Sequence, residues 1–162
     1  RRGRAVRKAA GERPGLGPIG RLEDFTPHKL SVVANRVSQS IGRLFEQRFG
    51  LQIPEWRILM VLYAYGTQPF NEVVERTSMD KARVSRAHRR LVDLDMIDAQ
   101  DDPQDGRRLN LTLTSKGARM CADILPEAAR TEAWLLAVLD ERERRQLVGI
   151  LDKLMQRVQQ LR

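Results

Sequence analysis

From Thr26 to Gly50 apolar residues fall at Leu30, Val33, Val37, Ile41 and Leu44 in steps of three or four, with Phe45 beside the last. That spacing predicts one amphipathic helix, opened by Thr26 with Pro27 in its first turn and closed by Gly50. A second helix is predicted from Pro54. Its sequence, "PEWRILMVLYAY", is apolar nearly all round, as a segment buried on several sides must be, and stops at Gly66. "FNEVVERT" reads as a short third helix. The next begins behind Asp80, whose carboxylate suits the free N–H groups of a helix start.

The period then changes to two. "IDAQ" and "LNLTLT" read as paired strands, with Leu109, Leu111 and Leu113 on the inner face and Asn110 and Thr112 on the outer. Between them Pro103, Asp105 and Gly106 are turn formers, so the pair is a hairpin. Thr114 caps a further helix, which Pro126 is expected to bend or interrupt. Asp140 and Glu143 mark the start of the last one. There Leu147, Leu151, Leu154, Val158 and Leu161 step by four and three, a coiled-coil-like stripe that needs a partner. Either the first helix of the same chain or a second subunit would serve.

The sum is a mainly α chain with a small β-wing, and its 162 residues suffice for one compact domain or two lobes sharing a core. No apolar run reaches the roughly eighteen residues of a bilayer span. One cysteine, Cys121, cannot form a disulfide framework within the chain, which favours a reducing compartment and a cytoplasmic location. The formal charge of +8 suggests nucleic acid, but +6 of it lies in residues 1–21, leaving +2 for the other 141. Any DNA argument therefore rests on local clustering. The basic, Gly/Pro-rich start, "RRGRAVRKAAGERPGLGPIG", reads as an arm, and since the chain opens at Arg1 a natural start further upstream is expected.

Clustering is found behind Asp80. At about 100° per residue, Val84, Ala87, Leu91 and Leu94 share one face, while Ala82, Ser85, Arg86, Arg89 and Asp93 share the opposite one. Lys81, Arg83 and Arg90 flank that polar face. A short helix, a tight turn and a helix faced with Ala, Ser and Arg is the layout of a helix-turn-helix. Small residues allow close approach to the major-groove floor, and arginine can pair with guanine through two parallel hydrogen bonds. The hairpin beside it is the wing, whose Arg107 and Arg108 can reach an adjacent narrow minor groove. Asp105 would repel phosphate, so it reads as a brace for an arginine head or for the turn's backbone. The bland alternatives are a solvated helix face and an incidentally charged hairpin.

Other chemistry finds little footing. Two histidines, His28 and His88, and one cysteine are too few and too scattered for zinc, and no phosphate loop or nucleophile elbow occurs. Ser85 and His88 share a turn, but beside four arginines they suit phosphate better than catalysis. We therefore expect no enzyme, metal or cofactor. Cys121 reads as a small packing residue.

Taken together, Ser85-Arg86, the "DPQDGR" wing followed by "LTLTSKG", and the closing "LDERERRQLVGILDKL" resemble the MarR family of winged helix-turn-helix transcription regulators over residues 25–162. The resemblance implies a homodimer whose first and last helices interlock. It divides the chain into a basic arm (1–24), an N-terminal dimerisation helix (25–52), a winged helix-turn-helix DNA-binding lobe (53–114) and C-terminal dimerisation helices (115–162). It gives Ser85 and Arg86 the base and backbone contacts, Arg107 the wing contact and Asp105 the role of its partner acid. With Lys81, Ala82, Arg83, Arg89, Arg90 and Arg108, these form the expected DNA surface. A near-palindromic operator, repression and release by a small molecule follow from the same resemblance.

The effector pocket it implies would draw on Arg36, Arg43, Trp56, Leu59, Met60 and Tyr63, a lining suited to an aromatic carboxylate or its acyl-coenzyme A conjugate. Core packing and solvated arginines would explain the same residues. Two departures stand out: Asp95-Met96 where the family has Gly-Leu, and Gly106 where a second wing arginine is common. The competing reading of the whole chain is a dimeric ligand-binding or interaction module that has kept the fold without reading DNA.

Overall fold

The computed structural model describes residues 17–161, so the first sixteen residues of the predicted arm lie outside it. The rest of that arm forms two short 3-10 turns, Gly17–Ile19 and Leu22–Asp24. Six α-helices and three strands follow: α1 (Thr26–Phe49), α2 (Ile53–Tyr65), β1 (Gln68–Pro69), α3 (Phe70–Thr77), α4 (Lys81–Asp93), β2 (Ile97–Asp101), β3 (Leu109–Leu113), α5 (Ser115–Leu136) and α6 (Glu141–Gln159). The chain divides within α1, between Ser40 and Ile41, into two compact units. The described part of the first carries no buried residue and leaves Leu30 and Val33 exposed.

The second unit is built around Phe45, Leu51, Ile58, Leu59, Leu62, Val73, Val84, Leu91, Ile97, Leu111, Cys121 and Ile124, all buried. Burying large apolar side chains stabilises by about 1.5–3 kcal/mol each, so these positions carry the fold. α2 is the central helix, as its all-round apolar sequence requires. At Gly42 the two neighbouring helices touch: a Cβ there would stand 2.7 Å from the Ile53 side chain. The strands form an antiparallel sheet in the order β1-β3-β2, with Ile97 opposite Leu113 and Asp101 opposite Leu109. β1 was not expected. Its two residues carry no period, and pairing with Leu111 and Asn110 alone makes it a strand.

Local chemistry sets the ends. Gly66 stops α2 at φ 73°, and Ser78 stops α3 in the left-handed region at φ 52°, a conformation that turns the chain sharply into α4. Asp80 accepts the Arg83 N–H at 2.8 Å, as expected of an N-cap, and Thr114 accepts the Gly117 N–H at 3.0 Å. Such caps contribute about 1 kcal/mol each. Asp140 and Glu143 satisfy each other's backbone N–H groups at 2.8 and 2.9 Å. α5 continues through Pro126 as one helix, so of the two expected outcomes the proline does not interrupt it. α6 buries no residue: Leu151, Leu154, Val158 and Leu161 of its stripe are exposed, with Val148, Ile150 and Met155 beside them.

The departure at Asp95 is resolved by its geometry. α4 ends with Met96 N–H donating to the Leu91 carbonyl and Asp95 N–H to the Val92 carbonyl, the paired bonds of a Schellman stop. Asp95 stands at the left-handed position, φ 59°, that glycine usually takes. Met96 and Leu91, at the two ends of the stop, are both buried in the same apolar core. Gly117 explains the glycine of "LTSKG": a Cβ there would lie 2.0 Å from the Met96 carbonyl oxygen. No side chain fits.

Candidate nucleic-acid interface

α3, the turn at Ser78 and α4 place Lys81, Ala82, Arg83, Arg86 and Arg89 on the surface, with Ser85 half-buried among them. The buried side of α4 is Val84, Ala87, His88 and Leu91. Lys81, Ala82, Ser85 and Arg89 then face Arg107, Arg108 and Leu109 of the wing across an open cleft of about 870 Å³, with Phe70, Asn71 and Glu72 at its base. Arg83 and Arg86 are exposed outside that cleft. The expected contacts are thus brought together on one surface, with one exception.

The exception is Arg90. Its guanidinium turns inward, Nη1 donating to Glu55 Oε1 at 2.9 Å and Nη2 to the Gly50 carbonyl at 3.3 Å. A guanidinium held by a buried carboxylate is engaged within the protein, which sets Arg90 apart from the other expected contacts. His88, nearly fully buried, also lines the cleft; its ring packs edge-on to Phe70 with centroids 5.3 Å apart, and Nδ1 lies 3.3 Å from the Val84 carbonyl. Burial holds its pKa below the ordinary imidazole value, and the charge of Arg89 adds to the effect; the bond to Val84 works the other way.

At the wing tip Asp105 acts as a brace, though for different groups than its family role implies. Its Oδ1 accepts the Arg107 backbone N–H at 3.2 Å, and its Oδ2 lies 3.4 Å from Arg108 Nε. The Arg107 head makes no hydrogen bond or ion pair among the described residues. A second brace was missed. Asp102 Oδ1 accepts the N–H groups of Gln104 and Asp105 at 2.8 and 3.2 Å, and Oδ2 accepts from Asn110 Nδ2 at 3.0 Å. Those bonds, the one from Gln104 foremost, hold its carboxyl below the usual range. Asp-Pro is a turn-initiating pair, so Asp102-Pro103 was the available signal.

The stop of α4 is held from the other side. Lys116 Nζ donates to the Leu94 carbonyl at 2.7 Å and Thr114 Oγ1 to the Asp95 carbonyl at 2.8 Å, so the first turn of α5 caps the recognition helix. Lysine there also opposes the negative end of the helix dipole.

The expected effector residues are distributed differently. Arg36, exposed, belongs to the first unit. In the second, Arg43 and Tyr63 are exposed, Met60 is half-buried, and Leu59 is core. Trp56 packs edge-on to Phe45, centroids 5.3 Å apart, and its Nε1–H is buried without a partner among the described residues. Further along, buried Glu127 of α5 bridges Arg48 of α1 and Arg130, the latter at 2.5 Å. The Arg130 bond foremost, opposed by burial and helped by the charges of both arginines, lowers its pKa. Cys121 is fully buried, its Sγ 3.7 Å from the Leu59 carbonyl, and burial pushes the thiol pKa up to about 11. Among the described residues no group of three His, Cys, Asp or Glu could hold a metal ion, and no helix is long and apolar enough to cross a membrane.

Comparison with known proteins agrees with this layout. The sequence model of the MarR family matches residues 49–108. Among solved structures, a MarR/EmrR family transcriptional regulator from Acinetobacter sp. ADP1 is 26% identical, with a TM-score of 0.80 over 86% of this chain and 99% of that one. A probable transcriptional regulator from Pseudomonas aeruginosa is 30% identical, TM-score 0.71, covering 83% and 99%. BpsR of Bordetella bronchiseptica, whose DNA binding is regulated by 6-hydroxynicotinic acid, is 25% identical, TM-score 0.69, covering 78% and 98%.

Proposed function

The chain belongs to the MarR family of DNA-binding, winged-helix transcription regulators, and on that premise we propose that it is a homodimeric repressor of a near-palindromic operator, released by an acidic small molecule. The observation that carries the DNA-reading part is the cleft itself. A wing guanidinium with no partner among the described residues, Arg107, stands across from the Ser85–Arg89 side of a helix whose outer face holds Ala82 and Arg86. Such a surface suits a helix in the major groove with arginine reaching the narrow groove alongside.

The uncovered stripe of α6 supports the dimer. Its exposed leucines and valines leave water once a second copy covers them, and two recognition helices related by a two-fold axis would enter major grooves about 34 Å apart. Effector control follows if the ligand prefers a dimer geometry that misplaces those helices. A hundredfold loss of operator affinity needs about 2.7 kcal/mol of such preference. An aromatic carboxylate is the class we favour, on the precedent of BpsR and on the unpartnered Trp56 N–H, which offers a donor to an acidic group.

The test is selection of a duplex from a random pool, followed by gel shift and sedimentation. An inverted-repeat consensus bound by two copies, and weakened at least about tenfold by Arg86→Ala with the dimer intact, is the expected result. A monomer that takes inverted repeats and random duplex equally would overturn the reading and leave a fold-only module in its place.

A further inference from the structure

Arg90 and Glu55 form a link whose consequence for DNA reading lies outside the contact surface. Glu55 is the third residue of α2, and its side chain is only 3% exposed, yet both oxygens are satisfied. Oε2 accepts the Gln52 backbone N–H at 2.8 Å, closing the start of α2, and Oε1 accepts from Arg90 Nη1 at 2.9 Å. The other guanidinium nitrogen of Arg90 reaches the carbonyl of Gly50, the residue that ends α1. One side chain of the recognition helix is therefore tied to the junction of α1 and α2.

We propose that Arg90 is a positioning residue: through Glu55 and Gly50 it fixes the rotation of α4 about its own axis, and so the angle at which Ser85 and Arg86 meet the bases. The proposal rests on the DNA-reading function above. Without Arg90, α4 is held in place by apolar packing of Val84, Ala87 and Leu91 and by its C-terminal stop, where Lys116 and Thr114 bond the last carbonyls. Packing of small and aliphatic side chains and a stop at one end still allow a slight roll. The two-point link from Arg90 to Glu55 and Gly50, on the flank of the helix, limits it. Paired hydrogen bonds to a base edge demand placement within about 0.5 Å and 10–20°, so a small roll is enough to spoil recognition.

The charge balance gives this reading a signature that a phosphate contact lacks. Glu55 is negative, and in the field of DNA its removal alone should tighten binding slightly. If Glu55 instead holds Arg90 in place, the same removal weakens recognition. Loss of a phosphate contact lowers the slope of log affinity against log salt by about one, whereas loss of positioning leaves it unchanged.

The experiment is fluorescence-anisotropy titration, over a range of salt, of a duplex selected by the wild-type protein and of its scrambled counterpart. Glu55→Gln and Arg90→Ala are each expected to weaken the selected duplex about tenfold while changing the scrambled one less than about twofold, at unchanged salt slope. Arg90→Lys, which keeps the charge beside Glu55 but loses the fork that joins it to Gly50, is expected to restore only part of the loss. Because Arg90→Ala strands a buried carboxylate and risks unfolding, the double variant Glu55→Gln/Arg90→Gln removes both charges together. Folded, it is expected to lose discrimination as the single variants do. Wild-type discrimination in that double variant overturns the proposal, as does equal weakening of both duplexes by Arg90→Ala with a shallower slope, or tighter binding by Glu55→Gln. A wild-type protein that fails to separate the two duplexes overturns the DNA reading itself, and this inference with it.

Discussion

Asp105 stands 3.4 Å from Arg108, and the head of its neighbour, Arg107, has no partner among the described residues. Two adjacent arginines at one hairpin tip thus differ in their surroundings, and we propose that they differ in work: Arg108 stiffens the turn, and Arg107 meets the ligand. Arg107→Ala is expected to weaken operator binding by about 1–3 kcal/mol and to lower the salt slope by about one, with the wing still formed. Arg108→Ala is expected to act mainly through a looser tip, with a smaller loss. Anisotropy titrations of the two variants at several salt concentrations separate them; equal losses with equal slopes would contradict the division.

Asp95 bears a left-handed backbone that a side chain resists, at φ 59°. Asp95→Gly is expected to raise stability by about 0.5–1 kcal/mol, part of the gain being offset by the greater freedom of glycine in the unfolded chain. A higher urea midpoint at constant m-value is the readout. An unchanged or lower midpoint would mean that the strain is relieved locally.

His88 makes stability depend on pH. Its folded pKa is below the ordinary 6.5, so the folded state favours the neutral ring. The contribution is complete above about pH 6.5 and is lost as pH falls from there through the lower folded value. Glu127, likewise lowered from 4.5, adds a second loss at more acidic pH, complete above 4.5 and lost through its folded value. Melting temperature is therefore expected to hold from about pH 8 to 7 and then decline in two stages. His88→Leu should remove the first stage only; a profile unchanged by that substitution would place the titration elsewhere.

Cys121, with its thiol pushed up to about 11 and fully buried, is expected to be inert in the native protein. A chromogenic disulfide reagent should react orders of magnitude more slowly before denaturation than after. Stoichiometric labelling of the folded protein within seconds would reverse the assignment and make the residue a candidate sensor.

Much of this architecture could be read directly because the informative signals are local. The period of α4, the Asp80 cap, the alternation from Leu109 to Leu113 and the Asp140–Glu143 pair each depend on residues a few positions apart. What escaped depends on distant partners. Arg90 is on the flank of α4, and only the fold reveals that Glu55, 35 residues earlier, stands beneath that flank. β1 exists because Leu111 passes Gln68. His88 is a different case: it follows Val84 by four and so shares the apolar face by spacing alone, whereas the four arginines beside it suggested phosphate. The wing turn was legible as a turn, whereas the division of labour between Asp102 and Asp105 required distances.

At Gly117 the backbone of α5 runs so near the Met96 carbonyl that even a methyl group is excluded. Sliding there is forbidden, because either strand of backbone would have to climb over the other. Whatever tilts the first turn of α5 must carry the tail of α4 along with it, like two spokes welded at the hub.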